Sequence, residues 1–263
     1  GVDFSLPFVK SFGRTGVILE PIVQVALSPD PKVYPNIPNE DSLAFDFNDT
    51  NLFDYNRSPG FDLYEGGQRI NVGLRASADW GNGHDVQIVV GQSFRRLADP
   101  NIPARSGLQG KSSDYIIAAE ARPFTGVSFY TKARLDDRTL DVHRIEFGAD
   151  LTTDRLAGHI RYLREDQDFA GVFREDVEVQ GDAFLTAHWG VSVNAIDDLA
   201  TSTWRKKTAG IVYRDECTRL DVIYERNEKP VLGGRSSDSI MVRLSLAING
   251  DARYTSQGAD WSD

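Results

Sequence analysis

Hydrophobic residues recur at every second position over most of this chain. Between Arg69 and Trp80, Ile70, Val72, Leu74, Ala76, Ala78 and Trp80 fall on one face, and Arg69, Asn71, Arg75, Ser77 and Asp79 on the other. A strict period of two is the signature of a strand with one apolar and one polar side. Val86, Ile88 and Val90 resume the apolar row after Gly81-Asn82-Gly83-His84-Asp85, whose Asn-Gly step is strong hairpin chemistry. The same alternation predicts strands over Thr15–Leu27, Tyr115–Arg122, Val127–Leu135, Arg144–Leu151, Leu156–Glu165, Val177–His188, Val191–Ile196, Trp204–Tyr213, Thr218–Arg226 and Ser239–Ile248. Trp189-Gly190 reads as a tight turn, Gly1–Lys10 as a fragmentary strand, and Pro21 as a bulge or an unpaired amide inside its strand. Helical periodicity is nearly absent. The count is roughly 13 strands, and the predicted fold is all-β and antiparallel.

Two features of these strands point to a membrane. They run to about 9 to 12 residues, against ~5 to 6 for globular strands. About eleven residues at ~3.3 Å each, tilted by about 40°, span roughly 28 Å, the height of the apolar band of an outer-membrane barrel. The connections also alternate in length. Those near residues 82, 124, 153, 189 and 215 are short, 97–113, 166–176 and 227–236 are longer, and those near 137 and 200 are intermediate. Outer-membrane barrels keep short turns on the periplasmic side and long loops outside. That rule puts Cys217 at the periplasmic rim and both ends of the Ser28–Gly67 loop on the outer side.

Composition narrows the alternatives. The 263 residues carry a net charge of −10 without a basic tract, which excludes nucleic acid as an expected partner. No apolar run reaches the ~18 residues of a transmembrane helix, but barrel strands alternate and give only a weak hydropathy signal. The chain begins at Gly1 without an initiator Met or signal peptide and reads as a processed or excised piece. Its single cysteine, Cys217, is either a bland thiol or half of a bridge to something outside the chain.

The Ser28–Gly67 connection is long enough to expect a function or disorder. Four separate words lie in or beside it: Leu19-Glu20-Pro21-Ile22 before it, Ile37-Pro38-Asn39-Glu40-Asp41-Ser42 and Asn51-Leu52-Phe53 within it, and Pro59-Gly60-Phe61-Asp62-Leu63-Tyr64-Glu65-Gly66-Gly67-Gln68-Arg69 at its end. In this order they resemble the C-terminal barrel region of the lipopolysaccharide-assembly outer-membrane protein family, LptD (OstA). The resemblance runs from about Thr15 to about Gly250. It departs at Asp62-Leu63, where the family word has Asp-Arg.

The resemblance implies a barrel over 1–250, with a polar tail over 251–263. It implies no enzyme activity and no cofactor. It implies a Gram-negative outer-membrane location, with lipopolysaccharide, a plug lipoprotein (LptE), outer-membrane lipid and periplasmic bridge proteins as partners. The bridge proteins would be met through an N-terminal domain outside this chain. Cys217 would be disulfide-linked to that domain. The strand holding Ile240, Val242, Arg243, Leu244, Ser245 and Leu246 would form one side of a lateral seam. The loop motif would be Ile37, Pro38, Asn39, Glu40, Asp41, Ser42, Leu52, Phe53, Gly60, Asp62, Glu65 and Gly67, folded over or into the lumen. A porin-like channel and a soluble β-rich carbohydrate-binding domain are the rival readings.

Bland chemistry is expected elsewhere. Glu40, Asp41, Asp46, Asp49 and Asp54 fit no EF-hand spacing and face no nucleophile–base pair. His84, His143, His159 and His188 show no metal-ligand spacing. Polar-face Arg75, Lys132, Arg134, Arg144, Arg161, Arg219 and Arg243, set among Asp79, Glu146, Asp150 and Asp221, read as a self-neutralising lumen network, with a polar path for a phosphorylated sugar headgroup as the alternative.

Overall fold

The structure is a computed structural model that describes residues 1–29, 46–60, 64–99, 102–103, 105–166, 171–228 and 236–246. These hold β1 (Val2–Ser5), β2 (Phe8–Phe12), β3 (Thr15–Ser28), β4 (Gly67–Gly81), β5 (His84–Arg95), β6 (Tyr115–Phe124), β7 (Val127–Leu135), β8 (Val142–Thr152), β9 (Leu156–Glu165), β10 (Arg174–Phe184), β11 (Trp189–Asp198), β12 (Thr203–Arg214), β13 (Thr218–Asn227) and β14 (Ser237–Leu246). Strand order follows the chain from β3 to β14. At the other end β1 and β2 share the same edge of β3, one after the other. The order is open, with β1 and β14 at its ends. The predicted tail, 251–263, lies outside the described residues.

Pro21 explains the split of the first strand. Ser5 pairs with Ile22 and Phe8 with Leu19, so the Leu6-Pro7 break falls opposite Pro21. Proline has no N–H to give the ladder, and the edge partner is interrupted where that donor is missing. The Leu6 amide donates to the Pro21 carbonyl at 3.3 Å, which closes the gap.

The predicted strands and short turns recur with one correction. Trp189 and Gly190 are not a turn: they open β11, and the turn is Leu185–His188. The Thr186 hydroxyl accepts the Trp189 amide at 2.9 Å, and the Leu185 amide donates to the Trp189 carbonyl at 2.9 Å. Gly190 is small because of a neighbour: a Cβ there would lie 2.9 Å from the Phe184 ring.

Solvent exposure is reversed from that of a water-soluble protein. On β4 and β5, Leu74 is 42% and Ile88 43% exposed, while Arg69 is 2%, Asn71 0% and Ser93 1%. Apolar residues face outward and polar ones are covered. Buried polar groups and an exposed apolar belt together are the signature of a strand with lipid on one side. In β14 the same rule leaves Ile240, Val242, Leu244 and Leu246 exposed, with Arg243 and Ser245 partly covered.

Two compact units are present. One comprises residues 1–125, 129–147 and 163–174; the other comprises the remaining residues, 126–128, 148–162 and 175–263. In the first, the chain's own connections cover the polar face. Its small apolar core is Phe47, Leu52, Ile102, Leu108 and Ile116, with Phe53 against it. In the second, paired charges line the polar face: Arg161–Glu178 at 2.7 Å, Arg205–Asp176 at 3.0 Å and Arg219–Asp182 at 2.9 Å.

Candidate functional site: a plugged polar face

The β3–β4 connection returns over the polar face of β3, β4 and β5 and is fixed there by three devices. The first is a bare floor. Gly73 and Gly91 oppose each other directly across β4 and β5. A Cβ on Gly73 would lie 2.8 Å from Phe53 Cζ, and one on Gly91 would meet the Leu52 side chain and Val72 O at 2.7 Å. Only glycine lets the two side chains descend onto the sheet backbone.

The second device is a polar rung. Asp3, Gln24, Asn71 and Ser93 are successive register partners across β1, β3, β4 and β5. Gln24 Nε2 donates to Asp3 Oδ1 at 2.7 Å, Asn71 Nδ2 to Gln24 Oε1 at 2.6 Å, and Ser93 Oγ to Asn71 Oδ1 at 2.6 Å. The connection ties into the rung at three points. Gln24 Nε2 also donates to Phe53 O at 2.6 Å, Tyr55 OH donates to Asp3, and Arg57 Nη2 donates to Ser93 Oγ at 3.2 Å.

The third device is a charge cluster. Glu65 is fully buried and is gripped by Arg57 through a two-point fork, Nε–Oε2 being 2.7 Å. Arg95 also contacts Glu65, and Arg69 lies 3.6 Å away. Asp99, 3.9 Å from Arg95, and Asp54, near Arg57, complete the balance. Burial pushes the Arg57 guanidinium down to about 9, with Asp54 opposing. The fork and the surrounding carboxylates offset the cost of this burial, while Arg57 Nη1, Arg69 Nε and Arg95 Nε are buried without a hydrogen-bond partner.

Asp46 and Asp49 lie against basic side chains of the neighbouring strands. They pair with Arg144 at 3.1 Å and Lys132 at 3.2 Å, and so moor the start of the plug to β8 and β7.

Of the predicted loop motif, Leu52, Phe53 and Glu65 meet in this site. Gly60 and Gly67 have φ of 72° and 85°, and Gly67 starts β4. Ile37, Pro38, Asn39, Glu40, Asp41, Ser42 and Asp62 lie outside the described residues. Arg57, Arg69, Arg95, Gln24, Asn71, Ser93 and the glycine pair were not singled out from the sequence. The signal available for the glycines was their place in polar rows of strands.

Cys217 is exposed in the β12–β13 turn. The Asp215 carboxylate accepts the Cys217 and Thr218 amides at 2.9 and 2.7 Å. These amides, Cys217 first, hold the Asp215 carboxyl below the usual range. Nearby, Arg214 stacks on the Phe184 ring at 3.6 Å and donates to Asp154 O at 2.8 Å, so three short turns brace one another. The seam candidates Ile240, Val242, Arg243, Leu244, Ser245 and Leu246 all lie on β14, whose one strand partner among the described residues is β13.

A family model, LptD: LPS transport system D, matches residues 1–224. The chain belongs to the LptD family. The fold is accordingly that of an antiparallel transmembrane β-barrel, located in the outer membrane of Gram-negative bacteria, and its work lies in lipopolysaccharide transport and assembly. LptD proteins are a transport family and not a family of enzymes. No curated protein matches. Among solved structures, two mutants of the Rh. blastica porin align at 13% identity over 90% of this chain and 86% of their own, with TM-scores of 0.36 and 0.37. A likeness that remote bears on neither fold nor function.

Proposed function

We propose that this LptD-family barrel inserts lipopolysaccharide into the outer leaflet by opening laterally at β14. The family match over residues 1–224 carries the lipopolysaccharide-transport part of this reading. Two physical features support it. The polar face offers a wet route for a sugar headgroup, and the exposed apolar belt offers hydrocarbon for acyl chains. β14 is an end strand of the described order, and an unpaired strand edge in hydrocarbon is not tolerated, so its free edge pairs with another strand in the closed barrel. Parting of that pairing supplies the exit. No covalent chemistry is required of the chain.

A plug lipoprotein of the LptE type and periplasmic bridge proteins are the proposed partners. Cys217, on the short-turn side, forms a disulfide with a cysteine outside these residues. The test is a seam lock in the full-length protein. A cysteine at Arg243 or Ser245, oxidised to the strand that closes on β14, should stop lipopolysaccharide export without unfolding the barrel. The control is Thr208→Cys with Glu225→Cys, directly opposed within β12 and β13, which should be harmless. Export that continues through a verified seam lock overturns lateral opening and favours a passive channel.

A further inference from the structure

Outward-facing residues pair in a column along β12 and β13: Ile211 with Val222, Ala209 with Tyr224, then Lys207 with Arg226. The first two pairs are exposed and carry the apolar belt. The third sets two cations directly opposite each other, at the end nearest the β13–β14 connection. Like charges so placed repel, and the pair needs an anion.

Among the described residues one carboxylate touches both. Glu228 Oε1 is 3.5 Å from Lys207 Nζ and 3.2 Å from Arg226 Nε. Asp238, opposite Arg226 on β14, accepts the Tyr224 hydroxyl at 2.8 Å. Arg69 and Arg95 are also directly opposed, and they share Glu65 in a sealed cluster. The outer pair is open instead: the Lys207, Arg226 and Glu228 side chains are 43%, 46% and 31% exposed. Ion pairs that exposed contribute little, so the carboxylate is readily exchanged for a stronger anion.

A tryptophan sets the depth of the pair. The β11–β12 register passes from Lys206 to Trp204, and the extra residue, Arg205, puts Trp204 on the face of Lys207. Lys207 Nζ lies 4.6 Å from the Trp204 ring centroid. Tryptophans of membrane barrels gather at the membrane–water interface, so this ammonium stands at headgroup depth. With the long connections outside, that is the outer leaflet.

We propose that Lys207 and Arg226 form a site on the outer wall of the barrel for a phosphoryl group of outer-leaflet lipopolysaccharide, with Glu228 occupying it when lipid is away. A phosphate monoester carries about −1.5 to −2 charges near neutral pH and three acceptor oxygens, so it suits two cations better than one carboxylate does. The Arg226 fork holds two oxygens and Lys207 acts as a point charge on the third. Acyl chains lie along Tyr224, Val222 and Ile211. This lipid is resident on the wall and not cargo in transit. The site therefore rests on the outer-membrane location alone and stands whether or not β14 opens.

The experiment uses the full-length protein in detergent, with a photo-crosslinking residue in place of Ala195, the register partner of Lys207 on β11. The probe is purified lipid A, added in bisphosphorylated and dephosphorylated forms. The phosphorylated form should crosslink roughly tenfold more, the effect of one charge-assisted hydrogen bond, and Lys207→Gln with Arg226→Gln should remove the preference. Glu228→Gln should raise it by removing the competing carboxylate, a gain that misfolding cannot imitate. Equal crosslinking of the two forms overturns the proposal, as does a preference that survives the double variant or fails to rise in Glu228→Gln. A preference abolished by a chelator also overturns it, because the phosphate then reaches Glu228 or Asp238 through a bridging cation. Since the lipid is added directly, none of these outcomes depends on export, which the seam lock judges separately.

Discussion

Gly73 of β4 stands directly opposite Gly91 of β5, and the plug's Phe53 and Leu52 rest on that bare patch of backbone. Gly91→Ala should destabilise the assembled barrel by about 1–3 kcal/mol through overpacking against Leu52. Leu52→Ala should cost about 2–5 kcal/mol through the cavity it leaves. Combined, the clash of the new methyl with Leu52 is relieved while that with Val72 O remains, so the double variant should lose somewhat less than the two singles added together. Denaturant unfolding of the four proteins reads this out, and strictly additive losses would remove Leu52 from the floor.

Glu65 is the hub of the buried charge cluster. Glu65→Gln leaves Arg57 and Arg95 with no carboxylate between them, a loss of about 3–5 kcal/mol for breaking a buried pair. The plug should then become cleavable by protease between residues 46 and 60 while the strands stay intact. A plug as resistant as in the wild type would show that the glycine floor and polar rung suffice alone.

The two faces of a strand should respond oppositely to charge. Leu74→Arg and Leu244→Arg should impair membrane insertion by about 2–4 kcal/mol near the bilayer midplane. Ser77→Arg and Ser245→Arg should be better tolerated. Equal damage from both sets in an assembly assay would contradict the assignment of faces.

Cys217 should be unreactive towards a maleimide in the mature, full-length protein until a reductant is added. Its exposure in the turn means that covalent pairing, not burial, is the reason expected. Full alkylation of the assembled, unreduced protein would rule out the bridge.

The strands were legible because alternation needs no tertiary knowledge. The β4–β5 hairpin shows how far that reaches. A simple two-residue turn at Asn82-Gly83 would pair Gly81 with His84, as it does, and then set even residues against odd ones. Apolar positions on both strands are even, so the pattern requires an extra residue. A register shift between Asp79 and Gly81 supplies it. The polar side was less legible. Asp3, Gln24, Asn71 and Ser93 are far apart in sequence and become neighbours only through register. Glu65 stood in the loop motif, but its buried fork with Arg57 was not legible, because burial of a loop cannot be read from its composition. Trp189-Gly190 misled because glycine usually marks a turn, whereas here it makes room for the Phe184 ring.

The alternation of faces has a consequence before the barrel exists. A secreted chain is arrested in the inner membrane when about 20 consecutive residues favour hydrocarbon. In β4 every residue destined for lipid is followed by one destined for water, and Arg69, Asn71, Arg75 and Asp79 oppose partition of the segment as a whole. The side chains that later line the interior thus also act during export. They let a protein built for one bilayer cross another without stopping.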